Sequence, residues 1–138
     1  MNKVYDTLRA NENIRDKLTI NESHNLFDSF NIDFNEFLRL TVYVETRDPN
    51  YYTVELNGGL THWHHDDDEA LLQDLAELAN GEVIFIENMR LLSLSKIKAI
   101  EKEKFEKKKA RYFAKKCLRI YTGNSIIKRN NEQKKNLT

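Results

Sequence analysis

Phe37-Leu38-Arg39-Leu40-Thr41-Val42-Tyr43-Val44-Glu45 is the stretch that decides the fold class. Leu38, Leu40, Val42 and Val44 alternate with Arg39, Thr41, Tyr43 and Glu45, the period of a strand buried on one face. Thr46-Arg47-Asp48-Pro49-Asn50 ends that strand, because Pro49 has no N–H and a fixed φ. A second strand, Tyr51–Leu56, leads into Asn57-Gly58-Gly59. Asn-Gly suits the two positive φ values of a type I′ hairpin turn. The returning strand is Leu60–His64. A turn at Asn57-Gly58 pairs Val54 with Thr61 and Tyr52 with Trp63. It leaves His62 and His64 on the other face, with Tyr51, Thr53 and Glu55.

Downstream, Asp66 and Glu69 form a capping box for a helix over 67–80, with Leu71, Leu75 and Leu78 as its apolar stripe. Gly81 supplies the left-handed residue at its C-terminal end. The short apolar run Val83-Ile84-Phe85-Ile86 predicts a buried strand over 82–87. Ser93 or Ser95 then opens a long helix over 94–121. Its apolar positions are Leu94, Ile97 and Ile100, then Phe113, Cys117, Leu118 and Tyr121, with only Phe105 between Glu101 and Lys109. On that stripe Cys117 reads as a small core residue.

Upstream, residues 1–36 read as short helices. Val4, Tyr5 and Leu8 make one stripe, and Ile14 and Leu18 another. Thr19 and Glu22 form a capping box before a helix holding Leu26, Phe27 and Phe30, and Asp33 caps a turn with Phe34 and Phe37. The expectation is an α+β chain. It has short N-terminal helices, a small and mainly antiparallel sheet of about four strands (37–45, 51–56, 60–64, 82–87), the helix 67–80 and the long basic helix 94–121. Residues 1–123 make a single α+β domain from which the basic helix projects, and 124–138 a polar, basic, flexible tail.

The chain has 22 basic and 22 acidic residues among 138, but they are segregated. Residues 1–92 hold 18 acids and 7 bases; residues 93–138 hold 4 acids and 15 bases. Asymmetry of this kind suggests that the basic part meets nucleic acid or another polyanion. The bland alternative is a basic helix neutralised against the acidic body. With one cysteine no intrachain disulfide is possible, which fits a reducing compartment. No secretory h-region is visible, and no apolar run approaches the roughly 20 residues of a membrane span. The expected location is cytoplasmic, in the producing cell or in a host, with no membrane partner.

His62-Trp63-His64-His65-Asp66-Asp67-Asp68-Glu69 is the run richest in chemistry. Histidines two apart on a strand face one side, a real metal-ligand spacing, so His62, His64 and Asp66 form a candidate metal site. The run resembles part of the His-x-His-x-Asp-His signature of metallo-β-lactamase-fold hydrolases. His62, His64 and Asp66 match it, Asp67 stands where its last histidine belongs, and that fold needs a longer chain. A small metal-dependent hydrolase or nuclease centred on His62, His64, His65 and Asp66 is therefore the enzyme alternative. The plainer reading gives the acids to helix capping and the histidines to a strand surface. Four glycines leave no nucleotide-cradling loop, no nucleophile has a base in motif spacing, and no cofactor is expected.

The basic segment Lys96–Arg119 is the stronger signal. Lys102, Lys104, Lys107, Lys108, Lys109, Arg111, Lys115, Lys116 and Arg119 crowd one helix with three interleaved acids. A helix charged nearly all round cannot be buried all round. These residues are the expected nucleic-acid or partner contacts. Asp66, Asp67, Asp68, Glu69 and Asp74 form an acidic face for a basic protein partner. In size, composition and divided charge the chain resembles accessory proteins of phages and mobile elements, among them anti-CRISPR inhibitors of nucleic-acid-targeting enzymes. That resemblance implies a non-enzymatic binding protein engaging nucleic acid or a nucleoprotein complex. An immunity protein that binds a toxin through its acidic face is the variant within the same class.

Overall fold

The computed structural model describes residues 3–22, 26–48, 51–59, 61–89 and 96–129. They form helix α1 (Lys3–Arg9), a 3-10 turn (Arg15–Lys17), and strands β1 (Leu18–Ile20), β2 (Phe27–Asn35), β3 (Leu38–Glu45), β4 (Tyr52–Leu56) and β5 (Thr61–His65). Helix α2 (Asp68–Ala79), β6 (Val83–Asn88), β7 (Lys96–Glu101), helix α3 (Lys102–Phe113), β8 (Leu118–Tyr121) and β9 (Ile126–Lys128) follow. The chain is mixed α+β, with two antiparallel sheets in the strand orders β1-β2-β3-β4-β5 and β7-β6-β8-β9.

The first sheet grows from the alternation in β3. Leu38, Leu40, Val42 and Val44 are buried, and strands on both sides copy the pattern with Phe30, Ile32 and Phe34 from β2 and Tyr52, Val54 and Leu56 from β4. Helices α1 and α2 cover that inner face through Val4, Tyr5 and Leu8 and through Leu71, Leu75 and Leu78. Phe85 and Tyr121 add one face of the second sheet to the same core. The opposite face of the second sheet carries Ile84, Ile86, Ile100, Leu118 and Ile120, and α3 seals it with Phe105 and Tyr112. The second sheet thus lies between two apolar layers. This explains why Ile84, Phe85, Ile86 and Glu87 are buried in succession.

Three expectations change. The segment read as short helices is partly strand: β1 and the long β2 occupy 18–20 and 27–35. Phe27, Phe30, Phe34 and Phe37 sit at helical spacing, but Phe30, Ile32 and Phe34 also fit a period of two, and pairing along nearly the whole of β3 favours the strand. The long basic helix 94–121 is divided. Its first part is β7, which pairs with β6 through Ile84↔Ile100 and Phe85↔Ala99, and its last part is β8 on the other side of β6. The edges of a strand buried on both faces need partners, and that demand outweighs helix propensity. The proposed helix start at Ser93 or Ser95 lies outside the described residues. Within the expected tail 124–138, residues 126–128 form β9 against β8, and 130–138 lie outside the described residues.

The hairpin register also differs. Val54 pairs with Trp63 and Tyr52 with His65, two residues beyond the expected pairing. A slip of two preserves every face, so His62 and His64 do lie opposite Glu55 and Thr53 on the outer side. Asn57 has φ +48, and its side chain is the reason. Its amide nitrogen donates to the Phe37 carbonyl (2.7 Å) and the Tyr121 hydroxyl (3.1 Å), and its Oδ1 accepts from the Arg39 N–H (2.8 Å).

Candidate functional site

Helix α3 begins directly at the end of β7, where the Lys102 N–H donates to the Glu82 carbonyl (3.1 Å). Lys, Glu, Ala and Arg give it high intrinsic helicity. Phe105 and Tyr112, about two turns apart, point the same way. Both are buried, and their rings stack with centroids 5.9 Å apart and 7° between planes. Two aromatic anchors suffice to dock the helix, and the rest of its surface faces out.

At about 100° per residue, Lys104, Lys107, Lys108 and Arg111 fall on one flank within roughly 100° of arc. Glu106 and Ala110 fall away from that flank, while Glu103, one turn before Lys107, borders it. Lys102 and Lys109 lie toward Phe113, and the Lys109 ammonium sits 5.8 Å from that ring centroid. All six cations are exposed, as are Lys115 and Lys116 in the turn leading to β8. Ion pairs among the described residues join Arg39 to Asp33, His65 to Asp74, Arg119 to Glu87 and Arg129 to Glu36. None involves those eight cations. Among the described residues no ion pair ties them to the acidic body; within α3, Glu103 stands one turn before Lys107 and Glu106 one turn after Lys102.

Arg119 does not belong to this group. In β8 its neighbours Leu118 and Ile120 face α3, so Arg119 points to the opposite side, into the seam between the sheets. Its Nε donates to the Glu87 carboxylate at 2.6 Å, and its guanidinium lies 4.3 Å from the Phe37 ring centroid. Cys117, expected in the core, is exposed. The end of α3 after Phe113 moves it off the apolar stripe.

The acidic group has mixed duties. Asp67, not Asp66, is the N-cap of α2, and its carboxylate accepts from the Glu69 N–H at 2.9 Å. Asp68 accepts from the Tyr52 hydroxyl at 2.6 Å. Asp66 and Glu69 are exposed. Asp74 faces β5, where its Oδ2 accepts from Trp63 Nε1 (2.7 Å) and lies 2.9 Å from His65 Nε2. It is therefore separated from the exposed acids at the start of the helix.

The three histidines of β5 do not converge on one site. His62 and His64 meet edge to face on the outer side, with ring centroids 5.3 Å apart, and His64 stacks on Tyr51. His65 is on the inner side. Among the described residues no three His, Cys, Asp or Glu side chains gather as a metal site. The Trp63-Asp74-His65 trio was not anticipated. Strand alternation does put Trp63 and His65 on one face, but only the docking of α2 brings Asp74 to them. Among the described residues no helix is long and apolar enough to cross a membrane. Comparison with known proteins gives no relative: no family model, no curated protein and no solved structure matches the chain.

Proposed function

We propose that this is a non-enzymatic binding protein whose α3 surface holds a nucleic-acid backbone, alone or within a nucleoprotein complex. One observation carries the reading. Lys104, Lys107, Lys108 and Arg111 form an exposed flank, continued by Lys115 and Lys116, and no described carboxylate pairs with any of them. Exposed cations at helical spacing place several charges along a phosphate backbone, and the release of condensed counterions drives such binding. Lysine and arginine ammonium and guanidinium groups at this spacing suit phosphates, so the contact proposed is to the backbone and independent of sequence. A protein of this kind also suits the inhibition of a nucleic-acid-targeting enzyme, through competition for guide or target backbone, as phage and mobile-element accessory proteins do.

Fluorescence anisotropy with labelled single-stranded RNA and duplex DNA, over a salt series, tests the proposal. The slope of log K against log salt falls by roughly 0.7 to 0.9 for each phosphate contact removed. Lys104→Ala/Lys108→Ala therefore flattens it by about 1.4 to 1.8, while Lys3→Ala, in α1, leaves it unchanged. No binding at about 50 mM salt, or an unaltered slope in the double variant, overturns the proposal.

A further inference from the structure

We infer that the cleft between β5, α2 and the β7 edge of the second sheet binds a small organic cation: a primary ammonium on an apolar, ring-bearing body. The inference does not depend on α3. The cleft has a volume of about 530 Å³, within the range of small-molecule sites. Leu56, Leu78, Val83, Phe85 and Ile97 supply its apolar surface, and Trp63 forms part of its wall.

Its polar groups converge. Trp63 Nε1 and His65 Nε2 both lie within hydrogen-bond distance of Asp74 Oδ2, which fixes the carboxylate in one orientation. Oδ1 of Asp74 has no hydrogen-bond partner among the described residues. The side chain lines the cleft and is 24% exposed. Glu77, about one turn further along α2, lines the same cleft, with Gln73 Nε2 donating to its Oε1 at 3.4 Å. Asp74 and Glu77 supply two carboxylates; His65, which pairs with Asp74, and His62 share the lining, and with no lysine or arginine among its described residues the recess favours a cation over an anion of the same shape. The partly dry surroundings strengthen that preference, and the Trp63 ring adds cation–π attraction.

Trp63 is the single tryptophan of the chain, so its emission reports on the cleft directly. The experiment titrates the full-length protein with phenethylamine, phenylacetate and phenethyl alcohol at matched ionic strength. The amine gives a saturable change with half-saturation near 1 mM, roughly what a fragment-sized ligand reaches. The acid and the alcohol are at least about 10-fold weaker. Ala99→Phe, at an exposed lining position, fills the cleft without touching a polar group and removes the response. Ala70→Phe, on the exposed first turn of α2, is a second filler should the first disturb folding. Glu77→Gln weakens binding by about 3- to 10-fold. Three results overturn the inference: acid or alcohol binding as well as the amine, unaltered amine binding in a folded filler variant, or no saturation by the amine up to roughly 20 mM in both Trp63 emission and ligand-observed NMR.

Discussion

The Arg119 guanidinium donates through Nε to the Glu87 carboxylate at 2.6 Å, and Glu87 is only 2% exposed. A carboxylate that deep is tolerable because the guanidinium accompanies it. Breaking a buried pair leaves a charge uncompensated, at a cost of about 3 kcal/mol or more. Arg119→Leu is expected to lose that much in urea unfolding. Glu87→Leu/Arg119→Leu recovers a large part of it. Arg119→Leu at low temperature, still folded, keeps the salt slope of polyanion binding.

Phe105 is 1% exposed and is the deeper of the two anchors of α3. Phe105→Ala removes a buried ring from the layer between the helix and the second sheet, and the expected loss is about 3–5 kcal/mol. Phe105→Leu keeps most of the volume and costs less. Urea unfolding gives the magnitudes. Amide hydrogen exchange checks the location, with protection of α3 falling before that of β3.

Gly123 tests close packing without a role for φ. A Cβ there would stand 1.9 Å from the Leu78 carbonyl oxygen and 3.1 Å from the Ala79 Cα. Both are backbone atoms of α2, which cannot rotate aside. Gly123→Ala is expected to cost at least about 3 kcal/mol. Gly58→Ala is the contrast, since a Cβ there meets nothing within 4 Å but φ is +76. Only backbone strain of about 1 kcal/mol applies. Thermal melts of the two variants separate the effects.

Two tyrosines set the alkaline limit. A hydrogen bond to Glu55, then burial and the Glu55 charge, push the Tyr43 hydroxyl up to about 12. Burial, then the Glu87 charge, raise Tyr121 as well. Below the ordinary value of 10.0 both hydroxyls keep their protons in folded and unfolded chains alike. Above it the unfolded chain releases protons that the folded one retains, so stability falls as pH rises. Melting temperature should drop from about pH 10 to 12, and less steeply in Tyr43→Phe than in the parent.

Much of the first sheet was legible, because one-sided burial writes itself as alternation. Leu38 to Val44 are the clearest case, and Asp67 to Leu78 announce α2 through acids at its start and leucines at helical spacing. The second sheet was harder to read. Ile97 and Ile100 fit a helix as well as a strand, and only the need of β6 for a partner on each edge decides between them. The Phe27 to Phe37 stretch shows the same ambiguity. At the cationic surface the residue types were visible, but Arg119 was read onto the basic helix, because its true face depends on β8 being a strand. The Trp63-Asp74-His65 trio needs tertiary contact between β5 and α2, which no local pattern encodes.

The side chain of Asn57 ties Phe37 and Arg39, at the start of β3, to Tyr121 of the second sheet. Asn35 reinforces the link through the Thr122 carbonyl at 2.8 Å. Neither sheet can come apart without cutting bonds held by the other. The two sheets are therefore expected to melt together, in a single transition seen alike by Trp63 emission in the first sheet and by far-ultraviolet dichroism of the whole. A force applied at α3 is then expected to be resisted through both sheets, and not by the second sheet alone.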